Sequence, residues 1–186
     1  MSILTITRTE LAVPSLYDVA RHLRMDTPTN DQLAELQGML AAARGLCEHY
    51  AGTPIGGDTL EQAMPAWPCG PAFALHGKAA SVVSVQYRDA TGTVQSLGTD
   101  QWRLNPYTSP STIERAPGVL CWPTLLCPAA FDNVVVRYTV DASVSPAVRA
   151  ALLLTVGHLD AHRGDTTQDP PPAAQRLLDT VKVWSL

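Results

Sequence analysis

Lysine is the scarcest charged residue in this sequence of 186 residues, with Lys78 and Lys182 as its two examples. The other cationic side chains are arginines spread along the chain from Arg8 to Arg176, and no run of them could neutralise a row of phosphates. The formal net charge at pH 7 is -4. Together these features disfavour tight binding to nucleic acid.

Long hydrophobic runs are missing as well. The longest apolar run, Ala150 to Val156, contains Thr155 and is far shorter than the roughly 20 residues that a membrane helix needs. The first residues, Met1 to Thr9, lack the cationic start and the apolar core of an export signal. We therefore expect no membrane partner and no export.

The cysteines lack the two-residue gap that is typical of a zinc ribbon. An even number of cysteines would suggest disulfides in a small secreted protein, but the expected lack of export weakens that interpretation. We favour buried or unreactive thiols over metal binding, and we leave open whether any of the cysteines form a disulfide. The four are Cys47, Cys69, Cys121 and Cys127.

Catalytic motifs are scarce too, since no phosphate loop and no serine, histidine and acid constellation stands in a recognisable context. The sharpest enzyme-like signal is the pair His158 and His162, whose spacing of four would place two imidazoles on one helix face for a metal ion. However, Leu159 occupies the place of the glutamate of a zinc protease, and only Asp160 or Asp165 could be imagined as a third ligand. The alternative is a packing role for the first histidine and a favourable helix-end position for the second. We expect no enzyme, no cofactor and no metal, with a metal-dependent hydrolase as the remote alternative.

The first two helices are predicted by their start signals. Ser15 with Asp18 three residues later forms a capping box, and Thr29 with Gln32 forms a second one. Apolar residues then follow at spacings of three and four as far as Tyr50, which predicts one long helix before a glycine-rich segment.

Two further helices are predicted near the end of the sequence. A serine cap followed by Pro146 begins the third, which is apolar on nearly every side and extends to about His162. A last short helix is predicted from about Ala173 to Lys182.

Between these helical pairs the sequence is typical of β-structure. Ser81 to Arg88 alternates apolar with polar residues, and the turn Asp89 to Gly92 returns the chain into Thr93 to Leu97 as a hairpin. Weaker strands are predicted at 101–105 and 112–115.

The strongest later strand is Asn133 to Val140, whose continuous apolar run predicts a strand covered on both faces. We therefore predict one α+β domain over residues 1–186. In this prediction about four helices, at about 15–50 and 145–182, form a bundle, and an antiparallel β block at about 58–140 is inserted between the second and third helices.

The order and spacing of these segments resemble the head-tail connector (adaptor) proteins of tailed bacteriophages, and the resemblance extends over most of the chain. It begins with the short first helix, continues through the end of the long second helix and the hairpin, and includes the valine-rich strand and the third helix. The matching segments are Leu16–Arg24, Glu48–Gly52, Val82–Leu97, Arg137–Val140, Pro146–Leu154 with His158 and Arg163 after it, and Leu177–Trp184.

The resemblance implies a structural subunit of the virion neck, made in the host cytoplasm and assembled at the portal vertex. Its partners would be the portal protein, further copies of itself in a ring of twelve, and a stopper or tail-completion protein below. Double-stranded DNA would pass through the channel without specific binding, and an acidic wall would repel it. Another neck or tail-completion protein is the nearest alternative.

Two apolar segments are the candidate contact sites. The sequence ends in Val181, Val183, Trp184 and Leu186, whereas chain ends are normally polar, so this segment is predicted either to dock on the portal or to fold back on its own core. The resemblance favours the portal. A proline-rich loop at 116–130 carries Trp122, Leu125 and Leu126, which are predicted more weakly to contact a neighbouring subunit or neck protein and otherwise to cover the loop's own core.

Overall fold

The computed structural model describes residues 2–127, 130–163 and 169–182, and these contain four helices and eight strands. The helices are α1 (Leu16–His22), α2 (Asn30–Ala51), α3 (Pro146–Ala161) and α4 (Pro172–Leu178). The strands are β1 (Ser2–Thr7), β2 (Thr59–Met64), β3 (Ala72–Ala74), β4 (Ala79–Arg88), β5 (Val94–Ser96), β6 (Trp102–Asn105), β7 (Thr112–Arg115) and β8 (Val134–Val140). All strand pairs are antiparallel, so the α+β prediction is confirmed.

The chain divides into two compact units. The β unit comprises Met1–Thr9 and Gly56–Ala142, and the helical unit comprises Glu10–Ile55 and Ser143–Leu186. The prediction of one adaptor domain over residues 1–186 stays a prediction. Within the described residues, no helix combines the length and the hydropathy that crossing a membrane requires.

In the helical unit, α1 and α2 begin at the two predicted capping boxes. The Ser15 hydroxyl accepts a hydrogen bond from the Asp18 amide, and the Asp18 carboxylate accepts one from the Ser15 amide, which lowers the pKa of Asp18. Thr29 and Gln32 exchange the same two bonds. The long helix ends at Gly52, whose φ of 62° is a left-handed conformation that glycine adopts without strain.

The third helix contacts each of the other three, and the fourth is shorter than predicted. Buried Val148, Ala151 and Leu152 on α3 pack with Cys47 of α2 and Leu178 of α4. The prediction extended the last helix to Lys182, but α4 ends at Leu178. The chain tightens there because the amide of Thr180 and that of Val181 each bond to a carbonyl three residues earlier instead of four.

In the β unit, the larger sheet has five strands in the order β1-β2-β8-β4-β5. The predicted hairpin is confirmed as β4 and β5, joined through the turn at Asp89 to Gly92. The sequence interpretation placed no strand before the first helix, yet β1 joins this sheet as one of its edges. Four β-branched residues within Ser2–Thr7 were the signal that could have predicted it.

The central strand β8 has one covered face, which corrects the prediction that both faces are covered. Its alternate residues Val134, Val136, Tyr138 and Val140 are buried, whereas Arg137 is exposed and pairs with Glu61 of β2 at 2.7 Å. The apolar run at 134–136 suggested two buried faces, but Val135 is only half-buried because nothing among the described residues of the β unit covers that side of the sheet.

A three-stranded sheet in the order β3-β7-β6 covers the other face. Phe73 and Ile113 of this sheet pack with Val136 and Tyr138 of the larger sheet. The core of the β unit therefore lies between the two sheets.

Buried polar groups join the two sheets beside this core. The Tyr138 hydroxyl donates to the His76 carbonyl at 3.1 Å and accepts from the His76 amide at 3.0 Å. Gln62 accepts a bond from the same amide at 3.0 Å and donates to the Ala74 carbonyl at 3.0 Å. Because Tyr138 and Gln62 are fully buried, these bonds satisfy groups that water does not reach.

We predict that Tyr138→Phe lowers the free energy of unfolding of the β unit by about 1–2 kcal/mol, since the buried His76 carbonyl loses its donor. Burial raises the pKa of Tyr138 to about 12, above the value of about 10 for an unfolded tyrosine. This contribution to stability is complete below pH 10 and is lost as pH rises toward 12.

Urea unfolding at pH 7 and across pH 9–12 measures both effects. The matched control is Tyr107→Phe, because Tyr107 is 96% exposed and its hydroxyl lies outside any core. Equal stability of Tyr138→Phe and wild type at pH 7 would contradict the role given to the hydroxyl.

Candidate interaction surfaces

The predicted docking segment at the end of the sequence lies largely outside the described residues, which include Val181 but not Val183, Trp184 or Leu186. Val181 is half-buried and packs against the apolar cluster of the helical unit. The Lys182 ammonium lies 4.1 Å from the centre of the Tyr50 ring, an attractive cation–π arrangement.

The end of the last helix is fixed on α2 by the same tyrosine. The Tyr50 hydroxyl donates to the Asp179 carboxylate at 2.9 Å, and this bond raises the pKa of Tyr50. The described chain after α4 is therefore held against the end of α2 as far as Lys182.

The proline-rich loop at 116–127 packs on its own unit. Trp122 is half-buried and stacks on Trp67 with ring centres 4.8 Å apart and planes 13° apart, and it lies 5.8 Å from the ring of Phe73. Leu125 also packs against the core of the β unit, and Leu126 is half-buried. This geometry supports the cover interpretation for Trp122 and Leu125, while the predicted contact with a neighbour stays a prediction.

Two hydrogen bonds fix the loop to the segment before β3. The Trp67 indole donates to the Pro123 carbonyl at 3.0 Å, and the Trp122 indole donates to the Gly70 carbonyl at 3.3 Å. Each tryptophan thus satisfies its polar nitrogen while burying its rings. Leu120 of this loop is 90% exposed and was not among the predicted contact residues.

The open face of the five-stranded sheet is a surface that the sequence interpretation missed. It lies opposite the three-stranded sheet and carries the half-buried Val135 and the exposed ion pair of Glu61 with Arg137. A second ion pair, Arg88 with Asp132 at 2.6 Å, lowers the pKa of Asp132. Glu61, Arg88, Asp132 and Val135 line a depression of about 200 Å³ together with Val94.

The edge strand β1 is exposed along its whole length. Leu4 is 59% exposed, and Ile3 and Ile6 are exposed as well. At the opposite edge, β5 is also exposed at all three residues, among them Val94 at 51%. Exposed apolar side chains therefore stand on both edges of one sheet.

The turn that leads into β5 is ordered by one carboxylate. Asp89 accepts hydrogen bonds from the amides of Thr91 and Thr93 and from the Gln95 side chain, at 2.9–3.1 Å. A further bond from the Thr91 hydroxyl contributes most to the shift, and together these bonds lower the pKa of Asp89 to about 2. The edge strand therefore follows a turn with a fixed geometry.

The structure brings His158 and His162 together, whereas Asp165, one of the two imagined third ligands, lies outside the described residues. Their ring centres are 4.3 Å apart, and Nδ1 of His162 lies 3.0 Å from the His158 carbonyl oxygen, at the end of α3. Among the described residues, no group of three or more histidine, cysteine, aspartate or glutamate side chains could hold a metal ion. His162 is the C-cap residue of α3, which is the helix-end position predicted for it.

The four cysteines are free thiols. Cys47 is buried beside Thr155, and this burial raises its pKa, whereas Cys69, Cys121 and Cys127 are exposed. Their positions contribute no ligand set within the described residues.

No protein-family model and no curated protein matches the chain. Solved structures do match it over its full length. The neck of an empty gene transfer agent (GTA) particle, computed with C6 symmetry, aligns with a TM-score of 0.80 at 20% identity, covering 100% of this chain and 97% of the other.

Two further GTA structures give the same result. The virion of a native GTA particle aligns with a TM-score of 0.78, and the neck of a native particle computed with C12 symmetry aligns with 0.71. Both share 21% identity with this chain and cover 100% of it and 97% of their own chains.

At this identity the likeness shows a shared fold, and the fold is that of a phage-like particle's neck component. The resemblance predicted from the sequence, to proteins of the head-tail neck, is confirmed at this level. The prediction that the chain is not an enzyme agrees with neighbours that are parts of a particle's neck or virion.

The position of Trp122 yields a testable prediction. We expect Trp122→Ala to lower the free energy of unfolding of the β unit by about 2–4 kcal/mol, because it removes a ring that stacks on Trp67 and covers the core. Urea unfolding followed by near-ultraviolet circular dichroism measures the loss.

Leu120→Ala is the control from the same loop, and we expect it to change stability by less than about 0.5 kcal/mol. An unchanged stability of Trp122→Ala would reject the cover role. It would leave contact with another protein as the explanation for this tryptophan.

Proposed function

We propose that this chain is the adaptor subunit of a particle neck, a structural protein that joins the capsid portal to the tail and extends the DNA channel. The observation that carries the proposal is the fold, which matches GTA neck structures over the full length of the chain with TM-scores of up to 0.80. The match extends over both the helical unit and the β unit, and neither contains a cluster of metal-ligating side chains among its described residues.

The proposed working form is a ring of identical subunits at the portal vertex of the virion, assembled in the host cytoplasm. The symmetries of the matching necks, C6 and C12, support a ring, and a dodecamer is the copy number that the family resemblance implies. A portal displays several equivalent surfaces, so weak contacts add through avidity. Subunits need not form a stable ring before they reach it.

The proposed portal-gripping segment is the apolar end of the chain, Val181 with Val183, Trp184 and Leu186. Support comes from its composition and from the anchored residues just before it, where Lys182 lies on Tyr50 and Asp179 accepts the bond from the same tyrosine. An apolar segment that starts from a rigid base loses less conformational entropy on docking than one on a long loose linker.

DNA passes through the proposed channel without being held. The formal net charge of -4 and the lack of cationic runs support weak contact with phosphates. A stopper or tail-completion protein on the tail side is the remaining proposed partner.

Deleting residues 183–186 tests the proposed portal contact. We expect the truncated chain to lose at least about tenfold in affinity for purified portal rings, because an aromatic anchor and two aliphatic side chains are removed. Co-sedimentation with portal rings at several protein concentrations measures the affinity. Ser185→Ala, which keeps all three apolar residues, is the matched control and should bind as wild type does.

Unchanged sedimentation of the truncated chain would reject the portal-gripping role. A large loss of folding stability in the truncated chain would favour the alternative in which Trp184 packs on its own core. Binding to tail ends in place of portal rings would identify the chain as another neck or tail-completion protein.

A further inference from the structure

The edge strand β1 lacks two of the devices that proteins use to protect a sheet edge, charged residues and proline. Its six residues include no charge and no proline, and all six are exposed. The strand pairs with β2 on one side, and no described strand pairs with its other side. An uncharged edge with exposed Ile3, Leu4 and Ile6 is a template for another strand.

The opposite edge of the same sheet has matching properties. The strand β5, Val94–Ser96, is exposed, carries no charge, and pairs with β4 alone among the described strands. With three residues, β5 is about as long as the regular part of β1, which runs from Ser2 to Thr5 before an irregularity in register.

The register places Leu4 and Val94 on the same face of the sheet. Leu4 lies opposite Glu61 in β2, Glu61 lies opposite Arg137 in β8, and Arg137 lies opposite Ser84 in β4. Val94 lies opposite Arg88, which shares a strand face with Ser84 because the two are four residues apart. Both exposed apolar residues therefore stand on the open face.

The number of strands fixes the relative direction of the two edges. Each of the five strands is antiparallel to its neighbour, so β1 and β5 run in the same direction. If a second copy extends the sheet in the same orientation, β1 of one copy lies parallel to β5 of the next. Leu4 and the neighbour's Val94 then lie on one continuous face.

We propose that β1 of each copy adds to the β5 edge of the neighbouring copy, so that the five-stranded sheets continue from subunit to subunit. The occupant of the edge is thus a second copy of this chain, and this choice rests on the proposed ring. The contact joins two different surfaces, β1 and β5, and a repeated contact of that kind closes into a ring when its rotation permits. A pairing of β1 with β1 would instead stop at a dimer.

Self-association of the full chain tests the proposal by sedimentation velocity at concentrations up to about 1 mM, where an interaction with a Kd of that size is detected. We expect association beyond a dimer. Leu4→Lys should weaken it by about tenfold, since a lysine is a natural guard of a sheet edge. Val94→Glu should weaken it similarly.

The variant with both Leu4→Lys and Val94→Glu should associate about threefold more tightly than either single variant, because the opposite charges then stand on the same face of the shared sheet. The matched control is Val83→Lys. Val83 is 61% exposed, close to the 59% of Leu4, but lies on β4, outside the two strands of the proposed contact. We expect it to associate as wild type does.

Amide hydrogen exchange gives a second readout that a general effect on stability would not reproduce. In the associated state, exchange should slow by at least about tenfold at both Ser2–Thr7 and Val94–Ser96. A chain that remains monomeric, a Val83→Lys effect as large as that of Leu4→Lys, or slow exchange at β1 alone would each overturn the proposal.

The outcome is separable from that of the portal experiment. Association through β1 and β5 without portal binding would keep this inference and remove the proposed adaptor role. Portal binding by a chain whose β1 and β5 amides exchange freely would keep the proposed adaptor role and remove this inference.

Discussion

The interaction on which the β unit depends is the set of buried hydrogen bonds among Tyr138, Gln62 and His76. It connects the central strand β8 and its neighbour β2 to the segment that leaves β3, and so connects the two sheets. Buried polar groups of this kind favour one arrangement of the sheets, because any slip leaves a donor or an acceptor unpaired. One face of the larger sheet is therefore covered, and the other is left open.

This one-sided cover determines which residues are available to other proteins. Trp122 and Leu125, for which the sequence left a contact role and a cover role open, pack against the core of their own unit. The two edges and the open face are instead accessible, with Leu4 and Val94 on the same side. In the helical unit, Tyr50 holds the residues that precede the apolar end segment. Its hydroxyl donates to Asp179, and its ring contacts Lys182.

The two candidate contact regions therefore have different physical grounds. The end of the chain is a candidate because of its composition, since apolar residues follow Lys182 and Asp179, which Tyr50 holds. The sheet edges are candidates because of their geometry, since exposure, register and strand direction have to agree before two copies can share a sheet. Both fit a fold whose matching structures come from particle necks, where the same subunit is repeated about an axis.

The sequence by itself determined the helices, the hairpin and the fold class, since caps, apolar spacing and turn residues act over a few neighbouring positions. The capping boxes at Ser15 and Thr29 and the Asp89 turn were predicted from such local signals and are present. Only the tertiary structure decided that Ser2–Thr7 is an edge strand, that β8 is covered on one face, and that Trp122 stacks on Trp67. Each of these depends on contacts between residues that are dozens of positions apart, and no local pattern records which distant segment will be the partner.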